Sequence, residues 1–168
     1  MAKAITPLLE KKTKRQRIID VLTAKLTEAL HNPDVETGDE AGRLLFEFVG
    51  HGDVNETFDL HQTPCCAIDQ GNEEKTDLLF PKIEKVLRLY IGFNLFVPKD
   101  VDSYEFFNYY LGRVIEVCVE DHTLGGLTID VQDAGNSSEI SGPTDERPGG
   151  ELFLDVRYRH INGNPFSD

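Results

Sequence analysis

The sequence predicts an α+β domain: a mixed, mainly antiparallel β-sheet with two main helices packed on its one apolar face. Three observations lead there. Two segments carry apolar residues at helical spacing, several others carry them at alternate positions, and strand-to-strand steps dominate the order of elements. With 168 residues the chain, 1–168, fits a single domain, because one hydrophobic core commonly serves about 100–200 residues. Two full enzyme domains are excluded.

Ile18, Ile19, Leu22, Leu26, Ala29 and Leu30 recur at spacings of three and four, which predicts a helix over 13–31. Asn32-Pro33 stops it, since a residue before proline avoids the helical region. The acidic, glycine-bearing stretch 34–42 reads as an exposed connection. Leu44, Phe46 and Phe48 alternate with Leu45, Glu47 and Val49, a short strand bounded by Gly50 and Gly52. Residues 50–63 read as a polar loop, Pro64 leads into a second short strand over 65–68, and 70–78 reads as another loop.

The strongest alternation follows. Ile83, Leu87, Leu89, Ile91, Phe93, Leu95 and Val97 occupy odd positions, broken only by Lys85, so one face of a long central strand is core. Pro98 ends it. Asp102 and Glu105 have capping-box spacing and open a second helix, whose face Phe106, Phe107, Tyr110, Leu111, Val114, Ile115 and Cys118 runs to Glu120. Gly125-Gly126 turns the chain into a strand over 127–132, and 133–150 reads as a long loop rich in glycine, serine and proline. The last strand puts Leu152, Leu154, Val156 and Tyr158 on one face and Asp155, Arg157 and Arg159 on the other.

Composition narrows the class. The most apolar run contains Arg88 and Asn94 and is far shorter than the roughly 20 residues a membrane-spanning helix needs. The first 17 residues are basic without an apolar signal segment, which predicts residence in the cytoplasm where the chain is made. Three cysteines, two of them adjacent, make no closed disulfide framework and read as buried thiols. Charge is uneven: residues 1–17 hold six basic side chains against Glu10, and the remaining 11 basic and 29 acidic residues give the body a charge of -18. Such a body repels phosphate and disfavours sequence-specific duplex binding. The basic arm, 1–12, reads either as a frayed solubilising terminus or as a contact for something acidic.

Chemistry is sparse. His51, His61, Cys65 and Cys66 are all metal-ligand types, but adjacent cysteines on a strand point to opposite faces, and no CxxC or HxxxH pair is present. Asp121, His122 and Asp130 offer acid–base groups, and Cys66 or Cys118 a nucleophile, without any strained-turn signature around them. No dinucleotide or P-loop phosphate cradle occurs. The sequence therefore assigns no catalytic residue, no metal and no cofactor. Long polar loops, at 34–42, 50–63, 70–78 and 133–150, suggest surfaces ordered against a partner.

The strand over 86–97, the helix with Tyr109-Tyr110-Leu111 and Val114, the turn Asp121-His122-Thr123-Leu124-Gly125-Gly126 and the closing strand over 151–158 together resemble the tail terminator proteins of long-tailed bacteriophages, the lambda minor tail protein U type. The basic arm and the insertions at 34–63 depart from that pattern. The resemblance implies a structural virion protein: a ring, usually of six copies, that caps the tail tube at its head-proximal end, ends polymerisation and meets the head-side connector, with no catalysis. The partners implied are the chain itself, the tail tube protein, the connector protein and genomic DNA passing through the lumen without specific binding. Membranes are not among them. On this view the loop 133–150, with Asn136, Ser138 and Glu139, and the connection 34–42 reach the tube or the next subunit. Asp155, Arg157 and Arg159 are candidates for pairing across a ring interface, the alternative being a solvated strand face. The negative charge either keeps DNA sliding or keeps free subunits apart. A head-side connector subunit and a small hydrolase using Asp121 and His122 are the competing readings.

Overall fold

A computed structural model describes residues 11–31 and 42–168. The basic arm lies almost wholly, and the connection 34–42 all but Gly42, outside the described residues.

Thr13 caps helix α1, Lys14–Glu28, by accepting a hydrogen bond from the Gln16 N–H at 3.1 Å. The helix buries Ile18, Ile19, Leu22 and Leu26, the stripe its spacing requires. It ends three residues before the expected boundary at 31, because the chain turns extended at Ala29 and enters strand β1, Leu30–His31. β1 pairs antiparallel with β2, Arg43–Leu44, to form a small second sheet. The strand expected over 44–49 is broken: Leu45 and Phe46 are both buried, so strict alternation fails there and pairing resumes only at β3, Phe48–His51. A single helical turn, α2, Val54–Thr57, interrupts the expected loop 50–63, with the Asp53 carboxylate capping the amides of Asn55 and Glu56.

The main sheet contains five strands in the order β3-β4-β5-β7-β6, with β4 spanning Cys65–Leu79, β5 Lys82–Asn94, β6 Asp130–Glu139 and β7 Gly149–Ile161. Only β3 with β4 is parallel; every other neighbour is antiparallel, giving the mixed, mainly antiparallel sheet of an α+β domain. Helix α3, Ser103–Val119, starts where the Asp102 carboxylate accepts from the amides of Tyr104 and Glu105 at 2.9 and 3.0 Å.

Both main helices lie on one face of this sheet. Leu87, Leu89, Ile91 and Phe93 of β5, with Leu152, Leu154 and Val156 of β7, join one core with Ile18, Leu22 and Leu26 of α1 and Phe107, Val114 and Cys118 of α3. Adjacent Cys65 and Cys66 part as strand neighbours must: Cys66 enters this core, and Cys65 packs with Val54 and Ala67 on the other side. All three thiols are free and buried, and burial pushes that of Cys118 up to about 12.

Two expected loops are strands. Residues 70–78 form the outer half of β4, and 133–139 extend β6, so only 140–148 of the expected loop 133–150 connects β6 to β7. Both stretches are polar because their side chains are mostly exposed, and their backbone pairs with β5 and β7 regardless of side-chain polarity. The remaining connection is tied down: the Asp145 carboxylate accepts from the amides of Ser141 and Arg147, and the Ser103 hydroxyl donates to the Pro143 and Asp145 carbonyls. Among the described residues no helix is long and apolar enough to cross a membrane.

Candidate assembly surface

β4 and β5 form a long hairpin whose ladder runs out to Leu79 opposite Lys82, closed by the two residues Phe80 and Pro81. Leu78, Leu79 and Phe80 are exposed at its tip, Phe80 to 86% of its area. An apolar tip in so acidic a body is an unpartnered feature.

The hairpin is anchored by one charged cluster. The Glu73 carboxylate accepts from Lys85 Nζ at 2.6 Å and from the Tyr158 hydroxyl at 2.5 Å, with Arg15 of α1 at 3.7 Å. This explains the single break in the apolar row of β5: Lys85 sits where the core ends beneath the start of α1, and its charge is met there. Burial pushes the Glu73 carboxyl up, but the Lys85 and Tyr158 hydrogen bonds and the Lys85 and Arg15 charges outweigh it and hold the group below the usual glutamate range. A carboxyl depressed on folding stabilises above its unfolded-state value and loses that contribution as pH falls through its folded-state value. Glu73→Gln is therefore expected to cost about 1–3 kcal/mol at neutral pH. In urea unfolding followed from about pH 7 to about pH 3, the gap between the two proteins should close at the acid end. A constant gap would disprove the assignment.

At the other end of β5 lies an apolar groove of about 690 Å³, within the size range of ligand-holding sites. Leu44, Pro64, Phe96, Pro98, Phe106, Tyr109 and Tyr110 line it together with buried His31 and exposed Arg43 and Glu47. Leu44 and Phe96 leave nearly half their areas open, at 46% and 49%. Behind the groove Tyr110 contacts Phe46 and Phe106 at ring separations of 5.9 and 5.0 Å, so one wall is continuous with the core.

The sheet face opposite the two main helices carries three of the sequence candidates, and each has a partner within the chain. Asp155 faces Arg88 across the β5–β7 ladder in a two-point pair at 2.5 and 3.0 Å. Arg159 binds Glu84 at 2.7 Å, and Arg157 approaches the same carboxylate at 3.6 Å. Asn136, Ser138 and Glu139 are exposed on β6, the outermost strand, rather than in a loop. Glu139 stands near Glu151, whose carboxyl burial and the charges of Asp53, Asp69 and Glu139 push up.

The groups considered for catalysis and metal binding are not brought together. Both Asp121 oxygens accept from the following turn, Oδ1 from the Thr123 hydroxyl at 2.8 Å and Oδ2 from the Gly125 amide at 2.8 Å. That turn passes through positive φ at Leu124, Gly125 and Gly126, a path that two glycines relieve of Cβ strain. His122 is exposed beside it. His51 and His61 are exposed whereas Cys65 and Cys66 are buried, and no group of three or more metal-ligand side chains occurs among the described residues.

Sequence reasoning missed both apolar surfaces. The run Leu78-Leu79-Phe80-Pro81, set between Asp77 and Lys82, was the available signal for the tip. The groove has no such signal, since its lining comes from five separated stretches of chain.

No protein-family model matches this chain, and no curated protein matches it.

Proposed function

We propose that this chain is a structural subunit of a closed ring, of the tail terminator kind, that caps a phage tail tube, stops its growth and offers its other face to the head. The observation that carries the reading is the division of exposed apolar surface between two unlike places, a hairpin tip and a groove, at opposite ends of β5. Unlike surfaces on one subunit favour head-to-tail contacts, and such contacts close into rings when the rotation per subunit permits. A ring so built has two different faces. One fits the open end of a tube and the other adds no further layer, so growth stops by geometry.

Charge and the site chemistry support the same reading. Six bodies of -18 place on the order of a hundred negative charges around a lumen, which repels DNA phosphate from its wall. The chain is read as non-enzymatic, and the commitment of Asp121 to its own turn weakens the hydrolase alternative.

The test is electron microscopy of purified tail tubes grown with and without the protein. The expected result is a ring at one end only and arrested lengthening. Binding to heads in the absence of tubes would move the assignment to a connector subunit, and saturable turnover lost in His122→Ala would replace it with an enzyme.

A further inference from the structure

We propose that copies of this chain meet through opposite charge: the basic end of one, at Lys14 and Lys82, receives the acidic cleft of another, at Asp53, Glu139 and Glu151. The contact deepens the ring reading and rests on it only for the way the assembly closes.

Charge is segregated along the sheet. Residues 73–87 form the outer part of the hairpin, and 156–168 pair with it or follow it. Residues 11–17 are tied to the same end, by the Lys14 amide donating to the Pro165 carbonyl at 2.9 Å and by Arg17 on the Asp168 carboxylate at 2.6 Å. Together these segments hold 10 basic and 5 acidic residues, whereas the other described residues hold 6 basic and 20 acidic. One end of an acidic body is therefore cationic.

Each end also lacks a counter-charge. Lys14 is only 6% exposed, yet among the described residues neither its ammonium nor that of exposed Lys82 makes a hydrogen bond or ion pair. Burial pushes the Lys14 pKa below the ordinary lysine value; Asp168 opposes this, and Arg17 and Lys82 add to it. An ammonium desolvated beside other cations is stabilised by a carboxylate brought to it. At the other end a cleft of about 150 Å³ is lined by Asp53, Asn55, Asn94, Glu139 and Glu151. Asp53 caps α2, but the carboxylates of Glu139 and Glu151 have no hydrogen-bond or ion-pair partner among the described residues. Burial and the like charges around Glu151 push its carboxyl up, the reverse of the shift at Lys14.

The two ends cannot satisfy each other within one chain. Lys82 opens β5, and Glu151 pairs with Gly92 further along it, about 33 Å away at the rise of a strand. Nucleic acid would suit the basic end and be repelled by the cleft, whereas a second copy carries the complement of both. Isolated exposed ion pairs contribute little, but here several charges meet at once and repulsion is relieved on both sides. Opposite ends allow two arrangements: two antiparallel copies that exchange both contacts about a two-fold axis, or a head-to-tail series that closes into a ring. The ring reading selects the second.

The test uses the full chain with two exposed residues reversed, Lys82→Glu and Glu139→Lys, singly and together, and circular dichroism checks that each variant is folded. Sedimentation velocity should show the wild type self-associating at low salt, each single variant about tenfold weaker, and the double variant restored, because its reversed ends match again. Raising salt from about 50 mM to about 500 mM should weaken the wild-type association, since exposed charges are screened. Four outcomes overturn the proposal: a wild type monomeric at every concentration in low salt, association untouched by the single reversals, a double variant no better than the singles, or association that strengthens with salt as an apolar contact does. Native mass spectrometry and tail-tube capping separate this contact from the function proposed above. A charge-dependent species of two copies would keep the contact and remove the ring. Charge-dependent rings that fail to cap tubes would keep the contact and remove the terminator, and rings that cap tubes despite both single reversals would remove the contact and keep the terminator.

Discussion

Phe93→Ala is expected to lower the free energy of unfolding by about 3–5 kcal/mol, the range for removing a large aromatic side chain from a core. Phe93 is fully buried at the centre of the fold. Its ring stacks on Phe107 of α3 at 5.3 Å and meets Phe46, from the broken strand between β2 and β3, at 6.0 Å. It therefore joins the sheet, a helix and the irregular segment behind the groove. The space left by its removal cannot close easily, because β5 is hydrogen-bonded on both sides and holds its position. The midpoint of urea unfolding should fall while its slope stays unchanged. A loss of less than about 1.5 kcal/mol would show that the core repacks around the gap.

Gly150→Ala is expected to cost about 3 kcal/mol, the upper part of the overpacking range, for the opposite reason. A Cβ at Gly150 would stand 2.5 Å from the Ser137 carbonyl oxygen and 2.6 Å from Phe107 Cζ. The first of these is backbone of the neighbouring strand, and it cannot retreat without opening the ladder that pairs Ser138 with Gly150 and Glu139 with Gly149. Hydrogen exchange should therefore quicken at the end of β6, in the stretch that carries Asn136, Ser138 and Glu139. Gly112→Ala supplies the contrast. It lies exposed in α3 with nothing within 4 Å of the added carbon, so alanine should stabilise the helix by roughly 0.5–1 kcal/mol. Equal effects from the two substitutions would refute the packing argument.

Much of the fold is legible in local sequence pattern. The stripe Ile18, Ile19, Leu22 and Leu26, the odd row of β5 and the aromatic face of α3 are each set by the period of a single element, and all three are buried in one core. The Asp102 cap and the ends imposed by Pro98 and the double glycine are also local devices. The candidate surface is less legible. Arg157 and Arg159 stand out in the sequence as alternating charges, but the cross-strand neighbour that meets both, Glu84, lies about 75 residues away in the chain. Phe80 falls between the expected loop 70–78 and the alternation that starts at Ile83, and the groove leaves no trace in the sequence because lining residues such as Pro64 and Phe106 are far apart along the chain.

By itself the sequence determined the fold class, the two helices, the central strand, the separation of Cys65 from Cys66 and the acidity of the body, because each depends on composition or on a repeat contained within one segment. Only the tertiary structure decided that the polar stretches 70–78 and 133–139 are strands, that Lys85 is met by Glu73, and that tip and groove stand at opposite ends of one strand. The physical reason is that a strand's hydrogen bonds and a charge's partner are supplied by remote backbone and side chains. An exposed strand needs no apolar pattern of its own once a neighbour offers it a ladder.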